Sequence, residues 1–198
     1  MREEISVDAI QPGMAYALLT STIVPRPIAW VSSRSADGID NLAPHSFFTV
    51  ASASPPLVQF TSVGDKDTLA NVLATKEFVI HLTPAGLLEA VNDSGTAYPP
   101  EIDEFDAAGL GREPSVAVGP MRVAGSPVAI ECKLHSTIDY GKSTVVVGEV
   151  LHFAIDKAVM ADDGLPDVQA LAPLARLGRN EWSKLGEVVK IDRKHYDG

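Results

Sequence analysis

The chain has 198 residues, 45% of them hydrophobic, and a formal net charge of -10. That length and apolar content suit one buried core, so residues 1–198 are expected to form a single domain. So acidic a chain supplies no basic face for a phosphate backbone, and no nucleic-acid partner is expected; an anionic cofactor needs only a few local cations and amides.

The opening residues Met1–Ile10 are acidic and lack a continuous apolar run, and no stretch reaches the length of a bilayer span. The expectation is a cytoplasmic protein with no membrane partner. Its 14 prolines and 15 glycines are scattered, marking turns rather than a linker.

In chain order, the first notable segment is Val24-Pro-Arg-Pro-Ile-Ala-Trp30, where two prolines hold Arg26 extended ahead of a strand over Pro27–Ser33. A rigid arginine suits a phosphate or a ring oxygen that gains charge on reduction, and equally a surface ion pair. Next, Asn41-Leu-Ala-Pro-His-Ser-Phe-Phe48 reads as a loop whose Asn41, Ser46 and backbone groups could edge a flavin ring or simply stabilise a turn. Strands are expected over Ser46–Ala51 and Leu57–Thr61, both β-branched or aromatic and bounded by breakers.

The turn Thr61-Ser-Val-Gly-Asp-Lys-Asp-Thr68 runs from strand into helix. Free amides at the helix start, the hydroxyls of Ser62 and Thr68 and the Lys66 ammonium form one candidate phosphate site. Ordinary capping by Asp65, with Lys66 solvated, accounts for the same residues. The helix is expected over Asp65–Thr75, with Leu69, Val72 and Leu73 on one stripe, and a second helix over Pro84–Val91.

Further strands are expected over Phe78–Leu82, Val128–Ile138 and Val145–Ile155. Cys132 shares a face with Val128, Ile130 and Leu134 and reads as a core thiol. In the last strand Val145, Val147, Leu151, Phe153 and Ile155 alternate with Val146, Val150 and Ala154, so both faces need cover, the second from a helix or another subunit. Strands outnumber helices and do not alternate with them, which favours a mainly β fold with flanking helices and an antiparallel barrel.

Other chemistries fall away. Gly141-Lys-Ser143 lacks the upstream glycine of a P-loop, the five histidines show no metal-ligand spacing, and there is no nucleophile elbow. Neither a metal nor a catalytic side chain is expected.

Taken together, Tyr16–Ser21, Val24–Val31, Asp37–Pro44, Ser46–Phe48, Pro55–Leu57 and Lys66–Leu69 resemble the flavin-reductase-like proteins of the FMN-binding split-barrel group in content, order and spacing. The likeness returns at Leu174-Ala-Arg-Leu-Gly-Arg179, where relatives often carry a tyrosine shortly after and this chain has Trp182; His45 stands where relatives often have an aromatic or small residue. The resemblance implies a six-stranded antiparallel FMN-binding split barrel and a homodimer. It implies that Arg26, Asn41, Ala43 and Ser46 line the flavin, that Ser62, Lys66, Asp67 and Thr68 take its phosphate, and that Arg176 and Arg179 complete the cleft. It further implies FMN as cofactor, NADH or NADPH as co-substrate, and a partner monooxygenase or other electron acceptor. The alternative is a non-catalytic, flavoredoxin-like FMN-binding electron carrier, and a third reading is a haem-binding or pyridoxamine-phosphate-oxidase-like relative.

Overall fold

Short β-branched and aromatic runs between breakers give a chain dominated by strands, with short helices at its margins. The computed structural model describes residues 1–196. Its first half contains α1 (Pro12–Thr22), β1 (Arg26–Pro27), β2 (Ala29–Arg34), β3 (Asp40–His45), β4 (Phe48–Ala53), β5 (Pro56–Val63), α2 (Asp67–Thr75) and β6 (Glu77–His81). The second half adds α3 (Leu88–Asp93), α4 (Glu104–Ala107), β7 (Arg112–Glu113), β8 (Arg122–Val123), β9 (Val128–Asp139), β10 (Ser143–Ile155), α5 (Val168–Leu171), β11 (Leu174–Arg176) and β12 (Trp182–Lys184).

Seven strands form one antiparallel sheet in the order β3-β2-β6-β9-β10-β5-β4. That is one strand more than the six the resemblance implies. Of the segment Asn41–Phe48 read as a loop, the residues through His45 belong to strand β3, paired with β2 from Ala29↔His45 to Arg34↔Asp40. Pro44 hides it in the sequence, since proline is confined to edge strands and strand ends, and β3 does end the sheet order. Separately, β1, β11 and β12 make a three-stranded sheet.

Alternation along β2 builds two cores. Ala29 and Val31 join Phe60, Phe78, Ile80, Cys132 and Val146 inside the sheet, with Val72 of α2 packed among them. Trp30 points the other way, against Leu42, Val91, Phe105 and Val123, and its indole donates to Ser94 Oγ at 2.8 Å. Cys132 is fully buried, and burial pushes its thiol up to about 12, which suits a core role.

Along β10 the expected alternation is reset. Bulges between Val147 and Gly148 and between Val150 and His152 shift the register, so the neighbours Val146 and Val147 are both buried while Leu151 and Phe153 stay 46% and 55% exposed. Gly148 is required at the first bulge, because a Cβ there would run into the Phe78 ring.

Two helix expectations also change. Helix α2 begins at Asp67 with Lys66 at the capping position, so Asp65 is not the cap and no side chain caps this helix. Helix α1 was not anticipated, because its apolar residues do not gather into a stripe and Met14, Tyr16 and Leu19 remain exposed. Among the described residues, no helix is long and apolar enough to cross a membrane.

Candidate functional site

The end of β3, the start of α2 and the segment Ser94–Tyr98 enclose a cleft of about 290 Å³. Asn41, Ala43, Ser46, Lys66, Asp67 and Thr68 all line it. Its floor is a buried polar network. Asn41 Oδ1 accepts from Thr68 Oγ1 at 2.9 Å and from Ser33 Oγ at 3.1 Å, and Asn71 Nδ2 donates to Ser33 Oγ at 3.2 Å. On the other side, Glu104 Oε2 accepts from Asn41 Nδ2 at 2.9 Å and from the Leu42 amide at 3.0 Å.

Glu104 was not singled out in the sequence. It sits in the four-residue helix α4, too short to show a period, whose Asp103 cap accepts from Phe105 N at 2.8 Å. Arg112 anchors α4 by pairing with Asp103 at 2.6 Å and with Asp40 of β3 at 3.3 Å. Glu104 is only 5% exposed. Burial raises its carboxyl above the usual range, against the lowering effect of the Leu42 and Asn41 hydrogen bonds.

At the other end of the cleft the first amides of α2 are free of any side-chain cap, with exposed Lys66 beside them. Ser62, between the lining residues Thr61 and Val63 of β5, is fully buried, and its Oγ has no hydrogen-bond partner among the described residues; His45 Nε2 shares that condition. Burial, with the nearby Lys66 charge adding to it, lowers His45 to about 4, so the ring is neutral. A buried hydroxyl without a partner near an open helix start is a donor that an anionic ligand with oxygen acceptors would satisfy.

Arg26 does not line this cleft. It is buried, donating to Thr20 O, to Ile23 O at 3.1 Å and to Leu177 O at 2.8 Å, with Nε 3.4 Å from Ser46 Oγ. The guanidinium therefore ties the end of α1 to the residue after β11 and stands behind Ser46. Arg176 and Arg179 border an adjoining cleft of about 340 Å³ that also touches Arg26 and Ser46. Arg176 reaches a third cleft of about 280 Å³ beside Trp182, and Ser46 lines all three clefts. Six of the ten expected residues thus meet in one cleft; Ser62 is buried on β5 and does not line it, and the three arginines belong to its neighbour.

The sequence profile of the flavin reductase like domain matches residues 20–169. The chain belongs to the flavin reductase like family. A protein of Halalkalibacterium halodurans is 36% identical over 202 residues, covering 96% of each chain. The crystal structure of nitrilotriacetate monooxygenase component B from Bacillus cereus superposes with a TM-score of 0.93 at 28% identity, covering 96% of this chain and 99% of that one. A split-barrel protein from Shewanella frigidimarina, at 20% identity and a TM-score of 0.86, shares the fold over 94% of this chain and 96% of its own. The seven-stranded sheet is therefore the split barrel of the flavin reductase like family, and the cleft described above opens at its β3 end.

Proposed function

We propose that the chain binds FMN and acts as an NAD(P)H-dependent flavin reductase, moving hydride from NADH or NADPH to the flavin. The observation that carries this is the pairing of an uncapped α2 start and the orphaned Ser62 hydroxyl with a cleft edged by Asn41, Ala43 and Ser46. Lys66, the amides of Asp67 and Thr68 and the Ser62 hydroxyl hold the phosphate, where helix dipole and ammonium act in the same sense. Asn41, fixed by Glu104, and Ser46, backed by Arg26, orient the ring beside Ala43. The bound flavin supplies the hydride acceptor, so the protein needs no acid or nucleophile of its own; its residues position the reactants and exclude water.

A homodimer is part of this proposal. Ile138 and Tyr140 near the tip of the β9–β10 hairpin are 47% and 69% exposed, and Leu151 and Phe153 toward its base are 46% and 55% exposed, apolar side chains that a second copy would cover. The relative from Bacillus cereus is the B component of a monooxygenase, which supports a partner monooxygenase as the consumer of reduced flavin.

Titrating the protein with FMN and riboflavin, then adding NADH or NADPH without oxygen, tests the reading. Expected are a clear preference for FMN and bleaching of the flavin absorbance. Equal affinity for riboflavin would remove the phosphate site, and bound flavin that no nicotinamide bleaches would favour the electron-carrier alternative.

A further inference from the structure

In the three-stranded sheet, Arg26 of β1 pairs with Arg176 of β11, and Arg176 pairs with Trp182 of β12. Directly paired residues share a face, so two guanidinium groups and an indole form one row. Like charges placed opposite each other are destabilising, and the arrangement calls for compensation. Arg26 finds it in the carbonyls of Thr20, Ile23 and Leu177. Arg176 does not: among the described residues it forms no ion pair, although the chain carries 26 acidic residues.

Arg176 is nonetheless held in place. Its guanidinium lies over the Trp182 ring, 4.5 Å from the centroid, and Nη2 donates to the Arg179 carbonyl at 3.0 Å. That carbonyl is presented by a left-handed backbone at Arg179, φ 52°, uncommon for a residue with a side chain and a small strain in itself. The turn is closed by Leu177 N to Glu181 O and Glu181 N to Gly178 O, both at 3.0 Å, and Gly178 packs so close to Ser21 of α1 that a Cβ would collide. A planar fork is thus fixed in orientation, half-buried, with N–H groups left over and no carboxylate to take them.

We propose that Arg176, with Arg179 beside it, docks an oxyanion, phosphoryl or carboxylate, carried by the molecule that exchanges electrons with the flavin. The proposal rests on the flavin reading above. It assigns these arginines to the second reactant and not to the FMN phosphate, because Arg176 lines the two side clefts and is absent from the lining of the α2 cleft. All three clefts share Ser46, so an anion held on Arg176 leaves the rest of its molecule beside the ring position.

The test is calorimetry on the FMN-loaded protein with two probes, ADP-ribose for a dinucleotide pyrophosphate and benzoate for a carboxylate acceptor. Arg176→Gln leaves a shorter planar amide beside Trp182 and removes the charge; Arg176→Lys keeps the charge and removes the fork. Arg176→Gln should weaken whichever probe is the true class by about 10-fold or more, and Arg176→Lys should restore only part, with the FMN Kd and melting midpoint little changed. Loss of ADP-ribose binding identifies a dinucleotide, and loss of benzoate binding identifies a carboxylate acceptor. The proposal is overturned if neither probe binds the wild type, if Arg176→Gln leaves both unchanged, or if it weakens FMN instead. Should FMN itself fail to bind, the flavin reading falls, and the same probe titrations on the chain alone still decide whether Arg176 holds an anion.

Discussion

One oxygen of Glu104 fixes Asn41: Oε2 accepts both the Asn41 side-chain amide at 2.9 Å and the next backbone amide, Leu42 N, at 3.0 Å. Glu104→Ala strands two buried donors, each worth about 1–3 kcal/mol when unsatisfied, so a total loss of about 3 kcal/mol is expected. Glu104→Gln retains an acceptor oxygen and should lose much less. FMN affinity should fall in the alanine variant as Asn41 is freed to rotate. Urea unfolding and flavin titration read both effects, and an alanine variant as stable as the parent would refute the anchoring role.

Truncating Lys66 or Ser62 should weaken FMN in both cases, for different reasons. Lys66→Ala removes a charge-assisted contact to the phosphate and should weaken FMN by about 1–3 kcal/mol while leaving riboflavin unaffected. Ser62→Ala removes a buried hydroxyl that has no partner among the described residues, so without flavin its stability should hold or rise, yet its FMN affinity should drop. A flavin-free Ser62→Ala variant that melts well below the parent would show that the hydroxyl is already satisfied in the protein.

Most of this site was legible because its residues cluster in sequence. Thr61–Thr68 and Asn41–Ser46 are short segments whose side chains carry their chemistry openly, and the cleft does bring them together. The strand character of Asp40–His45 was not legible, since Pro44 argues locally against a strand and only its place at the end of the sheet permits one. Glu104 was hidden because its importance comes from a contact 63 residues away in the chain. The same holds for Arg26: two flanking prolines suggested a guanidinium offered to a ligand, whereas a contact 151 residues distant, to Leu177, shows it spent on the protein's own carbonyls. In β10 the period-two pattern was real but was broken twice by bulges, which no local apolar count reveals.

Arg26→Ala should therefore act on the fold before it acts on the cofactor. It frees the carbonyls of Thr20, Ile23 and Leu177 together, and with hydrogen bonds to a charged group at about 1.5–3 kcal/mol each, a loss of about 3 kcal/mol or more is expected. Arg26→Lys should fail to rescue it, because one ammonium cannot reproduce a fork spanning α1 and β11. Protease cleavage within residues 12–24 should accelerate in both variants. A fully stable Arg26→Ala whose flavin potential alone had shifted would return this residue to the ring.

The last prediction concerns acid. His81 is fully buried, with Nδ1 2.9 Å from Trp30 O and Nε2 accepting from Val123 N at 3.1 Å. Only the neutral ring with its proton on Nδ1 satisfies both neighbours, since a second proton would face the Val123 amide. Burial, opposed by the Trp30 carbonyl, lowers its pKa from 6.5 to about 4, and burial does the same to His45. Between those values the unfolded chain takes up protons that the folded one refuses. The stabilisation is complete above about pH 6.5 and is lost as the pH falls toward about 4. At about pH 5 each histidine should have cost about 2 kcal/mol. Glu131 also has a lowered pKa; burial opposes that shift, and the Ala117 and Val116 amides and Arg122 outweigh it, so its effect begins only below the ordinary carboxyl value of 4.5. Glu104, whose raised carboxyl takes up its proton earlier in the folded state, works in the opposite sense over this range. Urea unfolding should therefore show the protein less stable at about pH 5 than at about pH 7.5 by at most about 4 kcal/mol, and His45→Gln should reduce the histidine part of that difference by about half. A parent protein equally stable at the two pH values would mean that these rings accept protons in place and are not held neutral by the core.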